Sequence, residues 1–317
     1  MPVSNRNRNT HLNASTLQKP MTEHHHHHSS ERIGIAFFLN LMFTIIEFIG
    51  GFLTNSTAIM ADAVHDLGDT LSIGLGWLLD KLGKREADHG FTYGYRRLSL
   101  LGALINGTIL IVGSLWVLSE AVPRLLEPQM PDAVGMTGLA ILGVTVNGYA
   151  AYKLSGGKSL NEQMLNWHLM EDVLGWVAVL IVSIVLLFAD WPILDPILSI
   201  VFTLFILFSV IKRLAQTIRL FMQAAPDNDI TKSVKKTLLE LNHVADIHHL
   251  HIWSLDGEHH VLTAHLLLDT PVDKRIHTEV KDAVQEALDE YDFSHSTIEL
   301  EQSQEICRDR QTTHKDA

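Results

Sequence analysis

Two stretches of this chain place a histidine and an aspartate four residues apart inside long apolar runs. One reads Ala61-Asp62-Ala63-Val64-His65-Asp66-Leu67-Gly68-Asp69 and the other Trp167-His168-Leu169-Met170-Glu171-Asp172. On an α-helix, residues i and i+4 stack on one face, so each stretch offers an imidazole and a carboxylate pointing the same way. Two such helices facing each other supply four donors, His65, Asp69, His168 and Asp172, the number a tetrahedral Zn²⁺ shell needs. Imidazoles in place of further carboxylates disfavour Mg²⁺, Ca²⁺ and Mn²⁺, which prefer oxygen and higher coordination. A histidine must be neutral to ligate, so protons compete directly with metal. Burying one aspartate at the centre of a bilayer costs about 2.5–3.5 kcal/mol, and this chain does so repeatedly. Interhelical His–Asp ion pairs are the plainer account of these residues; the duplication at matched spacing favours a metal site.

The elements that must position these side chains are membrane spans. A helix needs about 20 apolar residues to cross the hydrocarbon core, and six candidates occur, at about 33–54, 57–80, 98–122, 133–154, 164–188 and 193–213. One set of loops holds Lys81, Lys84, Arg85, Arg96, Arg97, Lys153, Lys158, Lys212, Arg213 and Arg219, the other only Arg124. This asymmetry predicts that both termini are cytoplasmic. Asp62 lies on the face of Asp69 and is a candidate approach site or an acceptor behind the ligands. Asp66 and Glu171 lie off that face, positioned to line a mouth or to hold partner helices. Asn40 and Glu47 form a polar stripe on the first span, suited either to a water-filled path or to interhelical hydrogen bonding. Asn106, Asn147, Gly102, Gly107 and Gly113 read as helix packing.

Beyond Pro226 the pattern becomes that of a small soluble domain: an amphipathic helix at 228–242, strands at 246–254 and 259–268 joined at Asp256-Gly257, a helix at 272–291 and a strand at 295–301. The order αββαβ predicts an α+β domain, an antiparallel sheet with helices on one face. The net charge of −12 over 317 residues argues against nucleic acid as a partner, and the single Cys307 excludes a disulfide framework or a thiolate cluster. The run His24–His28 is either a purification tag or a flexible metal collector. No cleaved signal peptide is evident. The expected organisation is a cytoplasmic tail at 1–30, a six-helix membrane domain at 31–215, a cytoplasmic domain at 216–302 and a polar, disordered tail at 303–317.

The sequence resembles the cation diffusion facilitator family, and within it the zinc-exporting His/Asp branch. The matching residues are Asn40 through Glu47 to Gly51, Ser56-Thr57-Ala58, Ala61 to Asp69, Tyr93-Gly94-Tyr95-Arg96-Arg97, Asn106, His168 to Asp172, and Asp195-Pro196 with Ser199. The resemblance covers about 33–302. It implies a homodimeric antiporter that expels Zn²⁺, with Cd²⁺ as a further cargo, in exchange for H⁺ across a bacterial inner membrane, with His65, Asp69, His168 and Asp172 as transport ligands. It also implies a metallochaperone-like cytoplasmic domain whose metal ligands fall on His249, His265 and Glu299, with Glu301 nearby. His248-His249-Leu250-His251 is expected to alternate sides of a strand, and His259, His260, His277 and His295 to be solvated or at an edge. The loop between spans four and five, 155–160, carries none of the histidines found there in many eukaryotic relatives. In the loop after span two, Asp88-His89 stands beside a Tyr95 that replaces a histidine of some bacterial members.

The expected mechanism is alternating access, with Zn²⁺ bound from the cytoplasm and displaced outward by protons. Two other classes fit the same donors. A metal-dependent intramembrane hydrolase would use them to activate water, although no H-E-x-x-H motif or separate general base is present. A membrane-anchored metal sensor would bind without flux.

Overall fold

A computed structural model describes residues 26–83, 85, 87–155, 160–271, 273–302, 305 and 307. His24 and His25, the centre of the 155–160 loop and most of the 303–317 tail lie outside the described residues. Six long helices come first: α1 (His26–Thr54), α2 (Thr57–Gly83), α3 (Leu98–Ala121), then a single turn α4 (Pro123–Leu126), α5 (Ala133–Leu154), α6 (Leu160–Phe188) and α7 (Leu194–Phe221). The C-terminal unit follows as α8 (Asn228–Leu239), β1 (Val244–Ser254), β2 (His260–Leu268), α9 (Lys274–Asp289) and β3 (Phe293–Gln302).

The helix bundle turns its large apolar side chains outward: Phe52 is 80% exposed and Phe188 87%. That is the inverse of a water-soluble protein, and it marks a lipid-facing surface. Among the described residues, five helices are long and apolar enough to cross a membrane, within α1, α3–α4, α5, α6 and α7. Of the six expected spans, only α2 falls outside this set. Asp62, Asp66 and Asp69 lie in its first half, and it packs among α1, α3 and α7. The helices approach closely where a glycine faces a large side chain. A Cβ on Gly143 would come within 2.1 Å of the Trp176 indole, and one on Gly68 within 2.4 Å of Leu110. Small residues at helix crossings replace a hydrophobic driving force that lipid cannot supply.

In the C-terminal unit the strand order is β1-β2-β3. β1 pairs antiparallel with β2, but β2 pairs parallel with β3. The expected antiparallel sheet is therefore a mixed one. The reason is α9, which connects β2 to β3 as a crossover and returns the chain in the same direction. Its apolar residues Ile276, Val280, Val284 and Leu288 recur every fourth position and cover the sheet with Val234 and Leu238 of α8. Asp273 starts α9 by accepting from the Ile276 amide at 2.8 Å. The hairpin turn is built by Asp256, whose Oδ1 accepts from Glu258 and His259 amides, with Gly257 at φ +106°.

Candidate metal centres

The first centre begins with how α2 is held. Its N-terminus, where four backbone amides lack intrahelical partners, meets the Asp195 carboxylate at the start of α7. Asp195 accepts from Ser56 Oγ (2.6 Å), Thr57 N (2.7 Å), Thr57 Oγ1 (2.8 Å) and Ala58 N (3.2 Å). Ser199 Oγ adds a bond to the Thr57 carbonyl at 2.9 Å. A carboxylate there also opposes the positive end of the helix dipole. The contact fixes the height of α2, and His65 follows eight residues on, about 12 Å along the axis. Asn40 supports the same helix from α1, donating to Thr70 Oγ1 at 2.9 Å and to the Asp66 carbonyl at 3.3 Å. Of the two roles open to that stripe, interhelical bonding is the one Asn40 takes.

With α2 so placed, its His65/Asp69 face meets His168/Asp172 of α6. His168 Nε2 lies 3.1 Å from Asp69 Oδ2 and 3.9 Å from Asp172 Oδ2; His65 Nε2 lies 3.7 Å from Asp69 Oδ2 and 3.9 Å from Asp172 Oδ1. The two imidazoles stand edge to face, 6.0 Å apart. Asp69 Oδ2 and Asp172 Oδ1 are both buried; Asp69 Oδ2 has the His168 imidazole within reach at 3.1 Å, whereas Asp172 Oδ1 has no hydrogen-bond donor among the described residues. A buried carboxylate oxygen without a donor is costly, and a cation among the four side chains would satisfy it. All four residues line a cavity of about 920 Å³ that runs along the bundle past Arg96 and Arg213 to Asp256, Glu258 and His259 of the hairpin turn. Asp62 and Glu171 lie on its wall. Glu47 and Asp66, 1% and 7% exposed, are buried instead.

The second centre lies in the C-terminal unit. His265 of β2 is 8% exposed and Glu301 of β3 3%. His265 Nδ1 is 2.7 Å from Glu301 Oε1, and His248 Nε2 is 2.9 Å from Glu301 Oε2. Glu299 stands on the other side of the ring, its Oε2 3.9 Å from His265 Nε2. Burial pushes the Glu301 carboxyl up, but the His265 hydrogen bond, the Cys307 thiol and the charges of His248 and His265 outweigh it and hold it below its ordinary value.

The expected alternation of His248, His249 and His251 does not hold. His249 adopts φ +50°, and the β1–β2 pairing jumps from His248 to His251. This bulge inserts an extra residue, so both rings come to His265: His248 at 5.4 Å and His249 at 5.1 Å between centroids. Of the expected ligands His249, His265 and Glu299, the structure gathers all three around His265, yet the tightest donor set is His248, His265, Glu301 and Cys307, all within 4.8 Å of one another. His248 and Cys307 are the residues sequence reasoning left out. In the loop after α2, Asp88 accepts from the Gly90 and Phe91 amides and from the Tyr95 hydroxyl, which occupies the carboxylate within the loop itself. His295, expected at an edge, packs its ring against Tyr93 of that loop at 5.1 Å.

A helix bundle with an apolar exterior and histidine and carboxylate donors gathered inside it defines an integral membrane protein. More narrowly, the chain belongs to the cation efflux family: residues 33–222 match the cation efflux transmembrane domain and 226–303 the cation efflux protein cytoplasmic domain. The family is one of transporters rather than hydrolases. A cadmium, cobalt and zinc/H⁺-K⁺ antiporter of Bacillus subtilis is 31% identical over 282 residues, 88% of this chain and 91% of the relative. The zinc transporter ZitB of Escherichia coli is 31% identical over 278 residues, 86% and 88% of the two chains. Among solved structures, the metal-bound C-terminal domain of the CzcD transporter from Cupriavidus metallidurans is 35% identical, covering 22% of this chain and 94% of that one at a TM-score of 0.20.

Proposed function

We propose that this protein exports Zn²⁺, and with it Cd²⁺, from the cytoplasm in exchange for H⁺, with His65, Asp69, His168 and Asp172 as the ligands that carry the ion. The observation that bears most of the weight is the convergence of these four side chains across α2 and α6, with the buried Asp172 Oδ1 left without a donor. A mixed N/O shell of four suits zinc. The names of the relatives support both cargo and exchange, being a cadmium, cobalt and zinc/H⁺-K⁺ antiporter and a zinc transporter. Both termini are taken as cytoplasmic and the membrane as a bacterial inner membrane. The cavity then leads from the C-terminal unit to the four ligands, so the conformation is one loaded from the cytoplasmic side. Residues 31–215 carry the cargo, and residues 216–302 form the clamp of a homodimer and bind metal as a regulator.

Exchange follows from the donors. Zn²⁺ binds when both imidazoles are neutral and both carboxylates charged. When the bundle rocks and opens to the more acidic outer side, protons take the same nitrogens and oxygens and the ion leaves. The test is ⁶⁵Zn²⁺ uptake into proteoliposomes with an acidic interior. Uptake should follow the gradient and stop when it is collapsed by an ionophore. Zn²⁺ binding without flux would instead identify a sensor and overturn the proposal.

A further inference from the structure

We infer that Cys307, the only cysteine of the chain, is a thiolate ligand of the cytoplasmic centre, completing with His248, His265 and Glu301 a four-coordinate site for a thiophilic divalent cation. The inference deepens the proposed regulatory site and rests on it. Cys307 lies five residues beyond the end of β3, and the chain is bent back towards the sheet there. The Glu305 amide donates to the Gln302 carbonyl at 2.8 Å, and the Gln302 amide to Glu305 Oε2 at 3.2 Å. This turn brings Cys307 Sγ to 3.5 Å from His265 Nδ1.

The four donor atoms lie within 4.8 Å of one another. A zinc tetrahedron with bonds of about 2.0–2.1 Å to nitrogen and about 2.3 Å to sulfur has edges of about 3.3–3.7 Å. The sulfur–nitrogen distance already matches such an edge. The two shorter contacts, a hydrogen bond between Glu301 and His265 at 2.7 Å and an approach of His248 Nε2 to Glu301 at 2.9 Å, lie across the space an ion would fill, and modest side-chain rotation opens them. Two of the donors, His265 and Glu301, are more than nine-tenths buried, so the site is built into the domain rather than collected on its surface. A thiolate separates this centre from the one in the membrane. The intramembrane donors are all nitrogen and oxygen, whereas one sulfur shifts the cytoplasmic site towards Zn²⁺ and Cd²⁺ and away from Mn²⁺. On binding, the Cys307 thiol releases its proton to solvent and its sulfur bonds the metal.

The same ring offers a second arrangement, with metal on its Nε2 side beside Glu299 and with Glu301 only orienting the imidazole. The single cysteine makes the two distinguishable. Titrated with Co²⁺ under reducing conditions, the full-length protein should show a near-ultraviolet sulfur-to-cobalt charge-transfer band, and any such band reports Cys307. In Cys307→Ser the band should vanish, and Cd²⁺ affinity at this centre should fall on the order of 10-fold or more. A wild-type titration that fills two sites per protomer, one of them lost in His265→Gln, without a charge-transfer band would overturn the role of Cys307 and leave the cytoplasmic site standing. A metal count unchanged in both His265→Gln and Glu301→Gln would overturn the cytoplasmic site and the thiolate with it.

Discussion

The intramembrane and cytoplasmic centres use the same imidazoles and carboxylates in opposite ways. Within the bundle, His65, Asp69, His168 and Asp172 sit on two separate helices, with contacts of 3.1–3.9 Å and on the wall of a large cavity. In the C-terminal unit, Glu301 joins His248 and His265 at 2.7–2.9 Å on adjacent strands, with Glu301 and His265 buried and His248 partly exposed. Donors split between elements that can move apart suit an ion that must leave. Donors mounted mostly on one sheet and locked by its ladder suit an ion that must stay. On the proposed assignment, the difference teaches that ligand type would set which metal binds, while the mounting of the ligands would set how long it remains.

The largest effect should come from the mobile centre. Asp69→Ala or His168→Ala removes one of four ligands, and gradient-driven Zn²⁺ uptake in proteoliposomes should drop about 100-fold or to background, whereas His265→Ala should retain transport. Equal loss in all three would erase the division of labour. Next comes the anchor of α2. Asp195→Ala leaves several buried donors without an acceptor, a cost of about 2–5 kcal/mol, so the detergent-solubilised protein should show a lower Tm and Asp195→Asn a smaller decrease. A Tm unchanged in Asp195→Ala would show that α2 is positioned by packing alone.

The locked centre should respond more mildly. Glu301→Gln should weaken metal binding there by about 10–100-fold in isothermal titration, with transport-site affinity unchanged. The smallest effect concerns protons. Because the Glu301 carboxyl is held below its ordinary value on folding, it stabilises the metal-free domain at every pH above its unfolded value, about 4.3. That contribution disappears as pH falls through the depressed folded value. Acid unfolding of the metal-free protein, followed by circular dichroism, should therefore steepen below about pH 4.3 in the wild type and less so in Glu301→Gln. Identical curves would remove the carboxylate from the stability of that centre.

The two regions also differ in how far their sequence could be read. A helix repeats every 3.6 residues, so His65/Asp69 and His168/Asp172 were bound to share faces wherever the helices lay. Only which helices meet, and the role of Asp195 in holding α2, needed three dimensions, since Asp195 lies 138 residues from Thr57. The mixed sheet was hidden because strand patterns carry no direction; the crossover by α9 sets it. The cytoplasmic donors were legible only in part. Glu299 and Glu301, two residues apart, share one face of β3 beside His265 as strand geometry requires, but a bulge at His249 shifts the histidines of β1, and nothing in His248-His249-Leu250-His251 announces it. Cys307 lies past the last strand, where a return of the chain leaves no periodic signal.

The most direct test of the central claim measures Zn²⁺ flux and bound Zn²⁺ per protomer together, in proteoliposomes of wild type, Asp172→Ala and the double variant His248→Ala/His265→Ala under an acidic interior. Asp172→Ala should lose flux while retaining the cytoplasmic ion, and the double variant should lose that ion while retaining flux. Flux that persists in Asp172→Ala, or that disappears only with the cytoplasmic histidines, would contradict the assignment of the intramembrane His/Asp set as the carrier of the ion.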